Sequence, residues 1–322
     1  MEADTNRVVP TVVVVGSANL DVVVRVPHHP ATGETVLGGD RSLIPGGKGA
    51  NQAVAAARMG GDVSFVGRIG ADDAGVALRA SLEDAGVDTT HLVMDAEAPS
   101  GIALISVDAN GDNAIVVSPG TNSRVSPADV TAAADCVQSA QVLLLQLEIP
   151  LETVVGAAQM AGGFVILDPA PAPTNGLSPK VLDYVDVLVP NAIELTQLAG
   201  AKSTGDVDGL VAMARSLGVK TVVVTRGNQG ALVVTAEHHL EVPVPDVDVV
   251  DTTGAGDAFC GALATAIAHG HDIADATRIA VHAGSLAATR PGAQTSMPEA
   301  SAVSRQMGGW PTTPSGSERW DH

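Results

Sequence analysis

The residues best suited to chemistry lie in VVDTTGAGDAFCGALATAIAHG (249–270). A β-like segment ends at Asp251, a glycine-rich turn follows, and an apolar helix opens with Gly254, Ala255 and Gly256. Small residues let a backbone come close to a ligand. A helix start presents free N–H groups and the positive end of the helix dipole, which suits phosphate. Asp257 shares that first turn. A carboxylate at a helix start also simply complements the dipole. The glycine pattern beside this one favours the chemical role.

A second stretch, PGGKGANQAVAAA (45–57), looks at first like a phosphate loop. The chain has no GxxxxGK followed by Ser or Thr, so a P-loop ATPase is disfavoured. Gly46 and Gly47 make a flexible turn, and Lys48 and Asn51 lie one turn apart at a helix start. Lys donates, and Asn both donates and accepts, a combination suited to polyhydroxyl ligands. The plain alternative is a capped helix with a solvated Lys. GSANLD (16–21) brings Asn19 and Asp21 directly after a strand, Glu148 closes QVLLLQLE, and Asn191 closes VDVLVPN. In open α/β sheets ligands bind beyond the carboxyl ends of strands, so these residues can share one crevice. Singly, each reads as a turn or cap residue.

Other candidates carry less. There is no GxGxxG at Gly16, which disfavours a dinucleotide-binding dehydrogenase. His28-His29, His238-His239 and His269/His271 have no acidic or Cys partner at ligand spacing and read as solvated. Cys260 reads as a packed thiol, and with Cys136 it makes too few cysteines for a disulfide framework.

The elements that must hold these residues alternate. TVVVVG (11–16), VSFVGRIG (63–70), QVLLLQLE (141–148), FVILDPA (164–170), VDVLVPN (185–191) and KTVVVTRG (220–227) read as strands. Helices are expected at 47–60, 73–85, 151–161 and 192–199. Strands separated by helices imply right-handed crossovers. The fold class is therefore α/β, with a mostly parallel central sheet and helices on both faces. Two regions break the rhythm. Residues 22–47 have no helix-length pattern, and 101–120 reads as a hairpin turning at Asn110-Gly111. Together they can form a small separate sheet. The tail 307–322 is rich in Gly, Pro, Ser and Thr and is expected to be disordered.

Composition excludes several classes. The 322 residues carry a formal net charge of −19 and only three Phe, one Tyr and two Trp. So large a negative charge disfavours nucleic-acid binding, and base-stacking platforms need aromatics that are scarce here. No apolar run reaches the length of a membrane span. The acidic start, MEADTNRVVP, lacks a secretory pattern, so the cytoplasm is the expected location.

With these residues in view, the chain resembles the ribokinase-like (pfkB) carbohydrate kinases from about Val12 to about Pro298. PGGKGANQAVAAARMG matches the early signature and VDTTGAGDAFCGAL the late one, in the right order. GSANLD, LLLQLEIPLETV, LDPAPAP, PNAIELTQLAG, VVTRGNQGA and ATRPGAQTSMP also look family-like and favour the ribose branch. The resemblance implies an N-terminal extension (1–10), a kinase domain (11–306) with a β lid from about 22–46 and 101–120, and the tail.

It also implies ATP-dependent phosphorylation of D-ribose at O5. Asp257 matches the general base, and Gly254, Ala255 and Gly256 match the anion hole. Asn19, Asp21, Gly47, Lys48, Asn51 and Glu148 match ribose-binding positions. Asn191, Glu194, Thr225, Gly227, Gly230 and Gly256 match positions around ATP, with Mg²⁺ near Asn191 and Glu194. Arg226, in the same loop, either adds a phosphate contact or points to solvent. Asp251, Thr253, Ala287, Arg290, Gly292 and Ser296 match a K⁺ site. Val281, next to His282, falls where relatives often contact adenine. The lid implies a homodimer.

A kinase for deoxyribose, fructose or adenosine is the near alternative, although few aromatics speak against a nucleoside. A sugar-sensing pseudokinase is the other alternative, opposed by the intact Asp257 and Gly254–Gly256. Because ATP is polyanionic and the chain is strongly acidic, the site must supply its own positive field.

Overall fold

The computed structural model describes residues 11–174 and 176–310. The N-terminal extension 1–10 and residues 311–322 of the tail lie outside the described residues. The strands are β1 (Thr11–Val15), β2 (Asn19–Arg25), β3 (Ser42–Gly46), β4 (Asp62–Gly70), β5 (Leu92–Asp95), β6 (Gly101–Val107) and β7 (Asn113–Ser118). They continue with β8 (Val142–Leu145), β9 (Phe164–Leu167), β10 (Val187–Leu188), β11 (Thr221–Thr225), β12 (Ala231–Thr235) and β13 (His239–Val242).

Nine of these strands form one sheet in the order β13-β12-β11-β10-β9-β8-β1-β4-β5. Every pair from β11 across to β5 is parallel, and β12 and β13 are antiparallel at the far edge. Side chains alternate between the two faces of a strand. Val12, Val14, Leu144 and Ile166 therefore enter one core, with the helices Lys48–Arg58, Ala255–Ala268 and Ile273–Ala287. Val13, Val15, Leu143 and Leu145 enter the other, with Leu151–Met160 and Val207–Ser216. Burial on both faces is the reason for the unbroken Val and Leu runs, and it bears out the α/β expectation. β5, β12, β13 and the helices Val207–Ser216 and Ile273–Ala287 were not marked by the sequence pattern.

The small sheet has the order β3-β2-β6-β7, with β2 and β6 parallel and the outer pairs antiparallel. The hairpin turns where Asn110-Gly111 indicates, through a five-residue loop organised by Asp108, whose Oδ1 accepts from Asn110 N and Asp112 N. Val22 pairs with Leu43 and Leu104, and Leu104 pairs with Val116, so these four share one face. That face is open: Leu104 is 52% and Val116 67% exposed. Asp21 pairs with Ile44 and Ala103, which places it on the opposite face, with Asn19 two residues away.

One expectation is corrected. The segment before Asp251 is not a strand, because β13 ends at Val242. Pro243 and Pro245 cannot donate to a ladder. The N–H groups of Val250 and Asp251 instead both reach the carbonyl of Ala288.

Candidate active site

The residues expected on the sugar side converge because glycines allow three backbones to touch. At Gly49 an added Cβ would lie 2.6 Å from Ser17 N, so the start of the Lys48–Arg58 helix rests against the end of β1. Gly47 has φ 88°, and its Cβ would come within 2.6 Å of Asn19 N. Glu148, beyond β8, satisfies this helix start: its Oε2 accepts from Lys48 N (3.0 Å) and Ser17 Oγ. Gly46 and Gly101 flank Asn19 across β2, where side chains would strike Asp21 and Asn19 respectively. Asn122 Nδ2 donates to Asn19 Oδ1 at 2.7 Å and fixes that amide.

Asp257 enters from the Ala255–Ala268 helix, whose N-cap, Gly254, has φ 74°. Gly261 lets this helix press on the Lys48 helix, since a Cβ there would meet Ala55 Cβ and Gln52 O at 2.6 Å. Asn51 Nδ2 then donates to Asp257 Oδ2 (2.8 Å), and Gln52 Nε2 to Asp257 Oδ1 (3.1 Å). Asn51 Oδ1 is buried without a partner, an acceptor suited to a ligand hydroxyl. Ala255 N–H donates to Thr252 O at 3.2 Å, so one of the anion-hole N–H groups already has a partner. A Cβ on Gly256 would meet nothing within 4 Å, so protein packing places no demand for glycine there.

Charge is concentrated among these residues. Lys48 Nζ is 3.6 Å from Asp168 Oδ2, and 32% of its side chain stays exposed. Burial alone would lower the Lys48 pKa, but Asp168, Asp257, Glu148 and Glu194 hold it above the usual lysine range. Burial pushes Asp257 up to about 6, with Asp168 adding to the rise and Lys48, Asn51 and Gln52 opposing it. Burial, then Glu148 and Asp257, push Asp21 up to about 7. Burial raises the Cys260 thiol well above its usual range, which fits a packed, unreactive group.

Among the residues expected around ATP, Asn191 caps the Ala192–Leu198 helix. Its Oδ1 accepts from Ile193 N and Glu194 N, and Glu194 Oε2 accepts from Asn191 N in return. A parallel bridge sets Thr225 beside Asn191. Gly227 and Gly230 both have positive φ, 57° and 78°. Arg226 does not point to solvent. Its side chain is 6% exposed, and Nη2 is held by Glu241 Oε2 (2.8 Å) and Gln229 O (3.1 Å). Asp251 joins two loops by accepting from Thr253 N and Gly292 N, both at 2.9 Å. Burial opposes ionisation there, but the Gly292 and Thr253 N–H groups hold Asp251 below the usual carboxylate range. Ala287 ends the Ile273–Ala287 helix, Arg290 follows it, and Ser296 is buried with Oγ donating to Ala293 O. Val281 is buried in the core, and His282 Nδ1 lies 2.9 Å from Gln306 Oε1. A cavity of about 410 Å³ lies elsewhere, against Ile44, Val54, Arg58, Ser81 and Gln294, and no sugar-side residue lines it.

The family model for pfkB family carbohydrate kinases matches residues 9–300. The chain belongs to the pfkB carbohydrate kinase family. Ribokinase of Staphylococcus aureus is 36% identical over 294 residues, 89% of this chain and 96% of that protein. Ribokinase of Bacillus subtilis is 39% identical over 288 residues, 88% and 95%. The structure of Arabidopsis thaliana ribokinase complexed with ribose and ATP has TM-score 0.85 at 33% identity, covering 93% of this chain and 99% of that one.

In this pfkB carbohydrate kinase Asn19, Asp21, Gly47, Lys48, Asn51, Glu148 and Asp257 lie close together. The charge of Glu194 acts on both Lys48 and Asp168. Sequence reasoning missed Asp168, Gln52, Gln146 and Asn122. Asp168 and Gln146 had a usable signal, since each directly follows its strand, FVIL and VLLL. Asn122 had none, because its partner Asn19 lies 103 positions away.

Proposed function

We propose that this pfkB kinase transfers the γ-phosphoryl group of ATP to O5 of D-ribose, giving ribose 5-phosphate and ADP. The observation that carries the reading is Asp257. It is a buried carboxylate one turn into a helix whose start is Gly254-Ala255-Gly256, and Asn51 of the sugar-side helix donates to it. Asp257 takes the O5 proton as the O5–Pγ bond forms and the bond from Pγ to the bridging oxygen breaks. The Gly254–Gly256 backbone faces the charge on the transferring group. Asn19, Asp21, Gly47, Lys48, Asn51 and Glu148 orient the sugar, so a large part of the barrier is met by positioning.

Asn191, Glu194, Thr225, Gly227, Gly230 and Gly256 hold ATP in this reading, without a phosphate contact from Arg226. A divalent cation such as Mg²⁺ accompanies ATP and offsets phosphate charge, with Asn191 and Glu194 beside its water shell. A K⁺ site formed by Asp251, Thr253, Ala287, Arg290, Gly292 and Ser296, mostly through carbonyls, would order the anion-hole loop. The Asp251 bonds to Thr253 and Gly292 support it by drawing both loops together.

The kinase domain is 11–306, and the small sheet, 22–46 with 101–120, acts as the lid that excludes water. Its open row of Leu43, Leu104 and Val116 supports pairing with a second copy. No helix among the described residues is long and apolar enough to cross a membrane, and both cysteines are free, which support a cytoplasmic location.

ATP-dependent phosphorylation across pentoses, hexoses and nucleosides, with Mg²⁺ and with K⁺ or a bulky organic cation, tests the reading. Ribose should have the highest kcat/KM and K⁺ should raise it. A higher kcat/KM for fructose or adenosine would overturn the substrate.

A further inference from the structure

Asp168 is a buried carboxylate outside both the sugar set and the ATP set. Its Oδ2 accepts from Gln52 Nε2 at 2.8 Å and faces Lys48 Nζ at 3.6 Å, and its Oδ1 accepts from Ala170 N. The same Gln52 Nε2 reaches Asp257 Oδ1 at 3.1 Å. Gln52 is fully buried, and Gln146 Nε2 donates to its Oε1 at 2.6 Å. That contact fixes which way the amide points, since the flipped amide would aim its oxygen at two carboxylates. One amide nitrogen thus ties the two carboxylates together, each taking one of its two N–H bonds.

We propose that Asp168 is a positioning residue: through the forked amide of Gln52 and its ion pair with Lys48, it orients Asp257 and sets the pH range in which Asp257 works as the base. The proposal rests on the reading of Asp257 as base. Asp257 faces Lys48, Asp168, Asn51 and Gln52, with Asp21 near enough to feel its charge. Glu148 and Glu194 act on Lys48, and Glu194 also on Asp168.

Deleting the charge of Asp168 removes a like charge near Asp257 and leaves Lys48 uncompensated. Both make Asp257 easier to ionise. Deleting the amide of Gln52 instead removes a donor to the Asp257 carboxylate and makes it harder to ionise. The two changes therefore move Asp257 in opposite directions, which a purely structural role would not do.

The experiment is the pH profile of kcat/KM for ribose in the wild type, Asp168→Asn and Gln52→Met, with thermal melts to establish folding. The acid limb should move down by about 1 pH unit in Asp168→Asn and up by a similar amount in Gln52→Met. Ribose KM should change less than kcat in Gln52→Met. Limbs that superimpose on the wild type would overturn the proposal. If Asp168→Asn does not fold, Asp168→Ser decides in the same profile: a downward shift supports the proposal and a limb at the wild-type position overturns it. Wild-type protein that does not phosphorylate ribose would instead overturn the functional reading.

Discussion

Asn51 Nδ2 lies 2.8 Å from Asp257 Oδ2, although the two residues are 206 positions apart in the chain. The contact joins the Lys48–Arg58 helix to the Ala255–Ala268 helix. It places the carboxylate where a hydroxyl ordered by Asn51 would also lie. Asp257→Asn should lower kcat for ribose by about 10²–10⁴-fold, the usual worth of a general base, while ribose still binds. Turnover close to wild type, with binding measured by calorimetry, would remove Asp257 from that role.

The base must be ionised to accept a proton, and burial raises Asp257 to about 6. Activity should therefore be full above that pH and fall as pH drops through about 6. A kcat/KM profile in which the acid limb lies near 4 would mean that burial does not perturb this carboxylate.

Asp21 is raised further, to about 7, by burial and by the charges of Glu148 and Asp257. The folded state then holds a proton that the unfolded chain releases near 3.8, so Asp21 contributes less stability as pH rises toward 7. Asp21→Asn should raise Tm, with a larger gain at pH 8 than at pH 5, while ribose affinity falls. An equal gain at both values would contradict the raised pKa.

Gly256→Ala separates packing from chemistry. Its Cβ would meet no protein atom within 4 Å, so the melt should match wild type. The methyl would enter the space assigned to the transferring phosphoryl group, and kcat should fall by at least about tenfold, in the range seen when a stabilising donor is displaced. A destabilised protein, or an active one, would count against this placement.

Val116 is 67% exposed in the apolar row of the small sheet. Val116→Asp should leave the fold intact and turn a dimer into a monomer near 32.3 kDa in sedimentation. Wild-type protein that is monomeric at micromolar concentration would refute lid pairing.

Much of the molecule is legible in local sequence. The Val and Leu runs, the glycines at 47 and 254, and the strand-end positions of Asn19, Glu148 and Asn191 all report on neighbours within a few residues. Strand periodicity and helix starts are local effects, and the two signatures mark the starts of both site helices. The segment before Asp251 misled because its β-branched residues follow prolines that end the ladder at Val242. The partner of Arg226, Glu241, arrives only when β12 and β13 fold back beside β11, so its burial was not legible locally.

Which strand lies beside which, and in what register, is decided by packing between segments distant in the chain. The order β9-β8-β1 sets Asp168, Glu148 and Asn19 at one sheet end, and the close approach at Gly261 brings Gln52 to Asp257. Residue types and local spacing determined the chemistry that was available. Only the tertiary structure decided which carboxylates share a proton donor, because that depends on contacts whose energies no single segment contains.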